Sequence, residues 1–187
     1  TGYYIPGYVI INTNSPVVFT NSHIRCSGCG GGAIIGGSNG AGFNPNLTIN
    51  YSTVGGGYDA NGNCTQPSET DIRFFFGDIK MDHDKFDCSL ESVNNNGGGN
   101  VTYTLTNSYV IADGYSPGAH MEALYLGGGI DVEVEHNTLL APLQPSGVLF
   151  NDAKCGLPQR LIVKNNLFAG GPGNGAMEGG GGANTTI

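Results

Sequence analysis

Apolar and polar residues alternate in two segments near the end of the chain, and both segments then end in the same way. Residues 132–139 (VEVEHNTL) and 161–168 (LIVKNNLF) each place an Asn two positions before a final apolar residue. Alternation with a period of two is typical of a β-strand with one buried face, and its repetition indicates strands that stack. The pattern therefore predicts repeated strands that each lead into a turn at the Asn.

The same pattern can be followed back towards the start of the chain. Its copies cover residues 17–24, 47–54, 79–86, 103–110, 132–139 and 161–168. Aligned on their last apolar residue, successive copies are 30, 32, 24, 29 and 29 residues apart. We interpret the longer steps as loops inserted at one corner of a stacked repeat. The third copy has two candidate anchors, Ile79 and Phe86. We prefer Phe86, because His83 then matches His136.

A repeat of this length cannot bury its own apolar face, so the copies are expected to share one core. No stretch shows a 3.6-residue apolar period, and we predict an all-β fold. The repeats occupy residues 1–171, and residues 172–187 form a Gly-rich tail or the start of a further coil. We expect Asn137 and Asn166 to form a hydrogen-bonded ladder at the turn, with Asp84 at the same position in the third copy.

Composition narrows the choice of function. Only 12% of the residues are charged, the net charge is −8, and Lys and Arg together number 7. Binding to phosphates needs basic residues, so we expect no nucleic-acid partner. No apolar run reaches the roughly 18 residues of a spanning helix, so we expect no membrane partner. No signal peptide is visible, and the chain begins almost inside the first repeat, which indicates a processed product or a fragment.

Five cysteines in a chain that is rich in Gly, Asn and Thr are typical of a secreted protein. Cys26 and Cys29 have the CxxC spacing of redox and zinc sites. The redox motif needs a helix after a strand, however, and the zinc site needs a second pair. We prefer a loop disulfide with Cys64 as the proposed partner. The odd count leaves one thiol free or paired outside the chain.

Four segments carry a resemblance to a known family, namely residues 101–110, 118–124, 134–139 and 163–171. They resemble the parallel β-helix proteins of the pectate-lyase-like superfamily. The resemblance implies a single-stranded right-handed parallel β-helix, a solenoid of about six coils. It also implies a polysaccharide partner, because many members act on acidic polysaccharides. Lyases of the superfamily use a Lys or Arg to remove a proton beside a uronate carboxylate, often with calcium held by Asp and Glu.

Residues 80–87 form the densest cluster of charge in the chain. Alternate residues of a strand share a face, so Lys80, Asp82 and Asp84 would point together unless a turn at Asp84 breaks the alternation. Such a face could bind calcium through Asp82 and Asp84 and present Lys80 as a base. The adjacent carboxylates would raise the pKa of that lysine, which counts against a base. The alternative is a solvated outer face with surface ion pairs.

A second group of candidates follows the fourth copy. His120 and Glu122 lie two residues apart at the start of a predicted strand, so they would share a face beside a Pro-Gly loop. Together with Asp113 they are candidates for proton transfer, and a structural role is equally compatible with the pattern. The matching positions of His83 and His136 favour a place at a turn over a catalytic role.

Substrate contacts complete the predicted site. Arg73 and Arg160 are candidates for binding an acidic sugar through paired hydrogen bonds, and Arg25 is a third arginine that could join them. Tyr115 could stack on a sugar ring. The polar segment 55–70 is longer than a tight turn needs, which is typical of a functional or mobile loop.

The sequence therefore predicts a secreted, carbohydrate-active β-helix that acts as a polysaccharide lyase on an acidic glycan. The predicted catalytic residues are Lys80, Asp82, Asp113, His120 and Glu122. The alternative is a non-catalytic surface, adhesin or filament subunit that associates end to end. A cleft with a base and an arginine would favour the lyase, whereas a flat face lined by Thr or Asn would favour the structural subunit.

Overall fold

The computed structural model of the chain consists of strands joined by turns and loops. It describes residues 3–36, 43–95, 101–117, 121–143, 148–151, 158–170, 177–179 and 185–186. These residues contain no helix, which confirms the all-β prediction. A helix long and apolar enough to cross a membrane is accordingly not found among them.

The strands are short, and most are three to seven residues long. In chain order they are β1 (Tyr3–Pro6), β2 (Val9–Ile11), β3 (Pro16–Thr20), β4 (Ser22–Arg25), β5 (Ile34–Gly36), β6 (Asn46–Asn50), β7 (Thr53–Gly55), β8 (Gly57–Tyr58), β9 (Cys64–Gln66), β10 (Ser68–Phe74), β11 (Gly77–Asp82), β12 (Lys85–Asp87), β13 (Ser89–Asn95), β14 (Val101–Thr106), β15 (Tyr109–Ile111), β16 (Leu124–Leu126), β17 (Asp131–Glu135), β18 (Thr138–Ala141), β19 (Leu149–Asn151), β20 (Arg160–Lys164), β21 (Leu167–Gly170), β22 (Met177–Gly179) and β23 (Thr185–Thr186).

The strands form three sheets of seven strands each and one two-stranded sheet. Sheet 1 is β1-β4-β7-β12-β15-β18-β21, sheet 2 is β2-β5-β10-β13-β16-β19-β22 and sheet 3 is β3-β6-β11-β14-β17-β20-β23. All the described strand pairs of these three sheets are parallel. The chain thus passes through sheets 1, 2 and 3 in strict rotation. The antiparallel hairpin β8–β9 is inserted between β7 and β10.

The strand register confirms the predicted repeat. Each copy consists of a sheet 3 strand followed by a sheet 1 strand. The final apolar residues of the copies pair directly on adjacent strands, in the order Ile24, Val54, Phe86, Val110, Leu139 and Phe168. Phe86, rather than Ile79, is therefore the third anchor, as preferred from the sequence.

Alternation along each strand separates the core from the surface. On β11, Ile79 and Met81 are buried while Lys80 between them is exposed. The buried apolar residues of all three sheets form one continuous cluster. Full burial of each such side chain contributes about 1.5 to 3 kcal/mol, so the shared core is the main source of stability.

The strands also extend beyond the boundary proposed at residue 171. Strand β22 pairs with β19 and strand β23 pairs with β20, so sheets 2 and 3 continue into the Gly-rich segment. The other residues of segment 172–187 lie outside the described part of the chain.

Each copy makes the same turn between its two strands. The turn residue has a positive φ of 49° to 57° in every copy: Asn21, Tyr51, His83, Asn107, His136 and Asn165. Asn and His adopt this left-handed conformation more readily than most residues. His83 and His136 thus lie at turns, as their matching positions predicted.

The residue after each turn is part of a hydrogen-bonded ladder inside the corner. The ladder residues are Ser22, Ser52, Asp84, Ser108, Asn137 and Asn166. From Ser52 onward, each side chain accepts the backbone N–H of its equivalent in the preceding copy, at 2.8–3.1 Å. The predicted ladder of Asn137 and Asn166 with Asp84 is confirmed, and serines complete it.

Replacing a ladder asparagine should be costly. Asn137→Ala should lower the free energy of unfolding by about 2 kcal/mol, because buried partners lose their bonds. The Asn137 side chain accepts the N–H of Ser108 and donates to Leu105 O and Asn166 Oδ1. Asn137→Ser should lower the free energy of unfolding by less, because serine accepts the same backbone N–H at this position in other copies. Urea denaturation measures both variants, with Asn46→Ala on the exposed side of β6 as control. Equal losses at positions 46 and 137 would contradict the ladder.

Two disulfides form among the described cysteines, Cys26–Cys29 and Cys64–Cys88. The expected bond from the CxxC pair to Cys64 is therefore wrong. Cys26 and Cys29 lie close enough to pair with each other, with Cα atoms 5.6 Å apart, whereas Cys64 lies 5.2 Å from Cys88. The fifth cysteine, Cys155, lies outside the described residues. Two disulfides fit an oxidising environment.

Candidate functional site

Lys80, the predicted base, lies on the outer side of sheet 3. It is exposed between Thr48 and Thr104, its partners on the adjacent strands β6 and β14. This position is on the side of β11 that faces away from the core. Lys80 therefore belongs to the outer surface of one sheet.

Asp82 and Asp84, the predicted calcium ligands, do not share the face that alternation would give them. The turn at His83 breaks the alternation, so Asp82 stays on the outside while Asp84 is buried in the ladder. Both oxygens of Asp84 accept backbone N–H groups, and burial raises its pKa to about 7. Asp82 accepts hydrogen bonds from the side chains of Thr106 and Asn107. In the part of the chain that the structure describes, no three His, Cys, Asp or Glu side chains are placed to hold a metal ion. The pair therefore does not fit the expected calcium site.

The second group of predicted catalytic residues is divided between two sheets. Asp113 follows β15 of sheet 1, and its Oδ1 accepts the N–H of Cys88 at 2.7 Å. Burial raises the pKa of Asp113. Glu122 is fully buried just before β16 of sheet 2, and His120 lies outside the described residues. The structure thus does not place Lys80, Asp113 and Glu122 on one sheet.

The arginines are likewise separated, with Arg25 on sheet 1, Arg73 on sheet 2 and Arg160 on sheet 3. Arg73 pairs with Glu69 at 3.1 Å, and Arg160 pairs with Asp131 at 2.6 Å. The two arginines predicted to bind substrate are therefore each engaged in an ion pair. Arg25 is also in an ion pair, with the buried Asp87.

An open groove of about 530 Å³ runs along the turn between sheets 3 and 1. Two rows of equivalent residues line much of it: Tyr51, His83, Asn107 and His136 from the turns, and Thr53, Lys85, Tyr109 and Thr138 from sheet 1. The rings of Tyr51 and His83 stack, with centroids 4.9 Å apart. Because neighbouring strands are about 4.8 Å apart, the groove offers polar and aromatic side chains at a regular spacing.

Two cations converge on one buried carboxylate beside this groove. Arg25 on β4 donates from both terminal nitrogens to the two oxygens of Asp87 on β12. The Nζ of Lys85 lies 2.6 Å from Asp87 Oδ2. The Asp87 side chain is fully buried, whereas half of the Lys85 side chain is exposed. Two cationic side chains therefore meet at one buried carboxylate, and the carboxyl of Asp113 lies nearby.

Gly55 leaves the space for the Arg25–Asp87 pair. Strand β7 lies between β4 and β12, and Gly55 is the register partner of both Arg25 and Asp87. A Cβ at Gly55 would lie 2.6 Å from Arg25 Nη1 and closer still to Asp87 O. The guanidinium therefore crosses the middle strand where only glycine gives it room.

The hairpin β8–β9 places Tyr58 against Arg25. The Cζ of Arg25 lies 5.2 Å from the centre of the Tyr58 ring, which is within cation–π range. The Tyr58 hydroxyl lies 3.5 Å from Asp113 Oδ2. Burial, followed by the negative charges of Asp87 and Asp113, raises the pKa of Tyr58, so the phenol stays protonated. Tyr115, predicted to stack on sugar, is 64% exposed on the segment that follows Asp113.

His23 on β4 is in register with two groove residues of sheet 1. It pairs with Thr53, which in turn pairs with Lys85. Its Nε2 accepts the Nε–H of Arg25 at 2.7 Å. Burial and the charge of Arg25 lower the pKa of His23, so its imidazole is neutral at neutral pH.

A second buried carboxyl, Asp71, interacts electrostatically with Asp87. The hydroxyls of Ser68 and Ser89 donate to its two oxygens at 3.1 and 2.9 Å. Burial, together with the charge of Asp87, raises the pKa of Asp71 well above its ordinary value. This shift favours the protonated form of Asp71 beside the charged Asp87.

Sequence reasoning did not predict that Arg25, Lys85 and Asp87 form one cluster. Lys85 and Asp87 belong to the charged segment 80–87, but Arg25 is 62 residues away from Asp87. One signal was present, because Arg25, Gly55 and Asp87 each follow the anchor residue of successive copies. Comparison of the chain with protein-family models, curated proteins and solved structures gives no match.

Proposed function

We propose that the chain is a single-stranded right-handed parallel β-helix of about six coils, as in the pectate-lyase-like superfamily that its sequence resembles. The strict rotation of the strands through three parallel sheets supports this proposal. The pairing of equivalent residues between copies supports it as well. The proposed hand follows the strong preference of connections between parallel strands.

This β-helix is further proposed to be a secreted polysaccharide lyase that acts on an acidic glycan over sheet 1. The observation that carries the proposal is the convergence of Arg25 and Lys85 on the buried Asp87 beside the groove. The half-exposed Lys85 would attract a carboxylate of the glycan, and the adjacent Arg25, which is held by Asp87, would add positive charge. The exposed rings of Tyr51 and Tyr109 provide surfaces for sugar rings.

Lyase chemistry would use this positive charge directly. Removal of the proton beside a uronate carboxylate builds negative charge on that carboxylate, and Arg25 and Lys85 would stabilise it. A double bond then forms in the uronate, the bond to the leaving sugar oxygen breaks, and that oxygen takes up a proton. His23 is the base proposed for this site, and its Nε2 would first have to give up the N–H of Arg25 that it accepts in the free protein. Lys80 and His120 remain the bases predicted from the sequence.

The test is incubation with a panel of uronate polysaccharides, with and without calcium, while the ultraviolet absorbance of the unsaturated product is followed. Lys85→Met should lower kcat/KM by about tenfold or more, because a cation beside the reacting carboxylate is lost. Arg25 still neutralises Asp87 in this variant, so the fold is expected to persist. Lys80→Met, an exposed lysine on sheet 3, is the matched control and should keep its activity.

The alternative outcomes of this assay are equally informative. Loss of activity in Lys80→Met but not in Lys85→Met would move the site to sheet 3, as the sequence predicted. A reaction that requires calcium would support the calcium expected from the resemblance. No product from any uronate polysaccharide would reject the lyase.

A second proposal is a non-catalytic surface or filament subunit that associates end to end. The outer face of sheet 3 favours it, because threonines lie there on both sides of β11: Thr48 on β6, and Thr102, Thr104 and Thr106 on β14. Ion pairs such as Lys164–Glu135 continue this polar face. Filaments in negative-stain microscopy of a sample that gives no lyase product would favour this function.

A further inference from the structure

The Cys64–Cys88 disulfide ties the hairpin to the charged cluster. Cys64 begins β9 and pairs across the hairpin with Tyr58. Cys88 directly follows Asp87, the carboxylate that binds Arg25. One covalent bond therefore links the strand pair that carries Tyr58 to the strand end that carries Asp87.

The base of the hairpin is also tightly packed. A Cβ at Gly56 would lie 2.7 Å from Gln66 O, so the two hairpin arms approach each other closely. The N–H of Gly28 donates to Gln66 O at 3.1 Å. The short loop closed by Cys26–Cys29 thus contacts the hairpin as well, and two disulfide-linked segments meet at it.

Tyr58 and Asp87 hold the Arg25 guanidinium from two directions. Asp87 binds its edge through two hydrogen bonds, and the Tyr58 ring covers its face at 5.2 Å. Only 15% of the Arg25 side chain is exposed. Asp87 and Tyr58 together restrict the guanidinium to one orientation. A planar carboxylate is recognised best by a guanidinium that is already oriented.

We propose that the Cys64–Cys88 disulfide acts as a latch that holds the hairpin β8–β9 against sheet 1. Tyr58 on this hairpin is a positioning residue that orients Arg25 for an anionic ligand. Reduction of Cys64–Cys88 releases Tyr58 and weakens anion binding. A dithiol supplies two electrons and two protons, the disulfide becomes two thiols, and the dithiol becomes its own cyclic disulfide. Cys64 is only partly buried, so it is the sulfur that a reductant reaches first. The proposal rests on the proposed function only for the identity of the anion.

The order of Arg25 can be measured without any ligand. The chain has three arginines, so their Nε–H resonances can be separated in ¹⁵N-edited spectra and assigned by substitution. Tyr58→Leu should speed exchange of the Arg25 Nε–H with water by about tenfold, because the cation loses the ring that covers it. Tyr58→Phe keeps the ring and should exchange like the wild type.

Cys64→Ser should reproduce the fast Arg25 exchange of Tyr58→Leu, because it removes the latch without touching either partner. Tyr8→Leu, which changes an exposed tyrosine of the first repeat, is the control and should leave Arg25 unchanged. Unchanged resonances of Arg73 and Arg160 would show that the rest of the fold is intact. Wild-type exchange of Arg25 in both Tyr58→Leu and Cys64→Ser would overturn the proposal.

Ligand binding supplies the second readout. The dissociation constant of a galacturonate trimer, measured by calorimetry, should rise about tenfold when a dithiol is added to the wild type, since the face of Arg25 is freed. Cys64→Ser should bind as weakly as the reduced wild type and should not respond to the dithiol. Equal affinity before and after reduction would contradict the latch. If the wild type binds no uronate, the proposed function fails, and the Arg25 exchange rates still decide the latch.

Discussion

Arg25→Met should lower the free energy of unfolding by about 3 kcal/mol, because it removes the main partner of a fully buried carboxylate. Methionine keeps much of the length and apolar surface of the arginine side chain. The loss of stability therefore measures the contribution of the guanidinium charge. Lys85 would then be the one cation left beside Asp87 among the described residues, and its side chain is half exposed to water. Urea denaturation at neutral pH measures the effect.

Arg160→Met is the matched control for this prediction. Arg160 also pairs with an aspartate, Asp131, but the two side chains are 45% and 33% exposed. A pair so accessible to water contributes less than about 1 kcal/mol. The double variant Arg25→Met/Asp87→Asn should recover part of the loss, because no buried charge remains unpaired. Similar losses for the two arginines would show that burial of Asp87 does not control the effect.

Asp84→Asn should remove a large part of the pH dependence of stability. Burial raises the pKa of Asp84 from 3.8 to about 7, so folding favours its protonated form. The stabilisation from this group is therefore complete below about pH 4 and is lost as the pH rises to about 7, a loss of about 4 kcal/mol. Asparagine is neutral at every pH and occupies the same ladder position in Asn137 and Asn166.

The difference in unfolding free energy between the wild type and Asp84→Asn should thus change by about 4 kcal/mol between pH 4 and pH 8, with the variant relatively more stable at pH 8. Other buried carboxyls such as Asp71 are common to both proteins and cancel. Asp78→Asn, on the exposed side of the same strand, is the control and should follow the wild type across the range. A difference that does not vary with pH would mean that Asp84 is ionised at no cost.

The repeat could be predicted because parallel strands place equivalent residues side by side. A strand with one buried face must alternate, and a residue in a left-handed turn favours Asn or His. Both requirements recur in every copy, so the anchor at Phe86 and the ladder at Asn137 are visible in one sequence. The ladder serines at positions 22, 52 and 108 were not predicted, since Ser carries no such distinctive signal.

The residues of the proposed site were harder to predict than the repeat, because they are not set by the pattern of neighbouring residues. The sequence left two places open for Asp84, the outer face with Lys80 and the turn ladder, and the turn at His83 puts it in the ladder. Local spacing also suggested Cys64 as partner of the CxxC pair, whereas the sheets bring Cys64 to Cys88. The turn decides the direction of the Asp84 side chain, and the packing of the hairpin decides the partner of Cys64.

The sequence by itself determined the all-β class, the period of the repeat, the anchor register and the turn ladder, because each depends on a pattern that neighbouring residues must obey. Only the tertiary structure decided which charges meet. Arg25 reaches Asp87 because the single strand β7 lies between their strands and Gly55 leaves a gap on it. Tyr58 reaches Arg25 because a disulfide folds an inserted hairpin against the sheet. Such long-range contacts depend on the stacking of whole strands, which no local pattern of residues specifies.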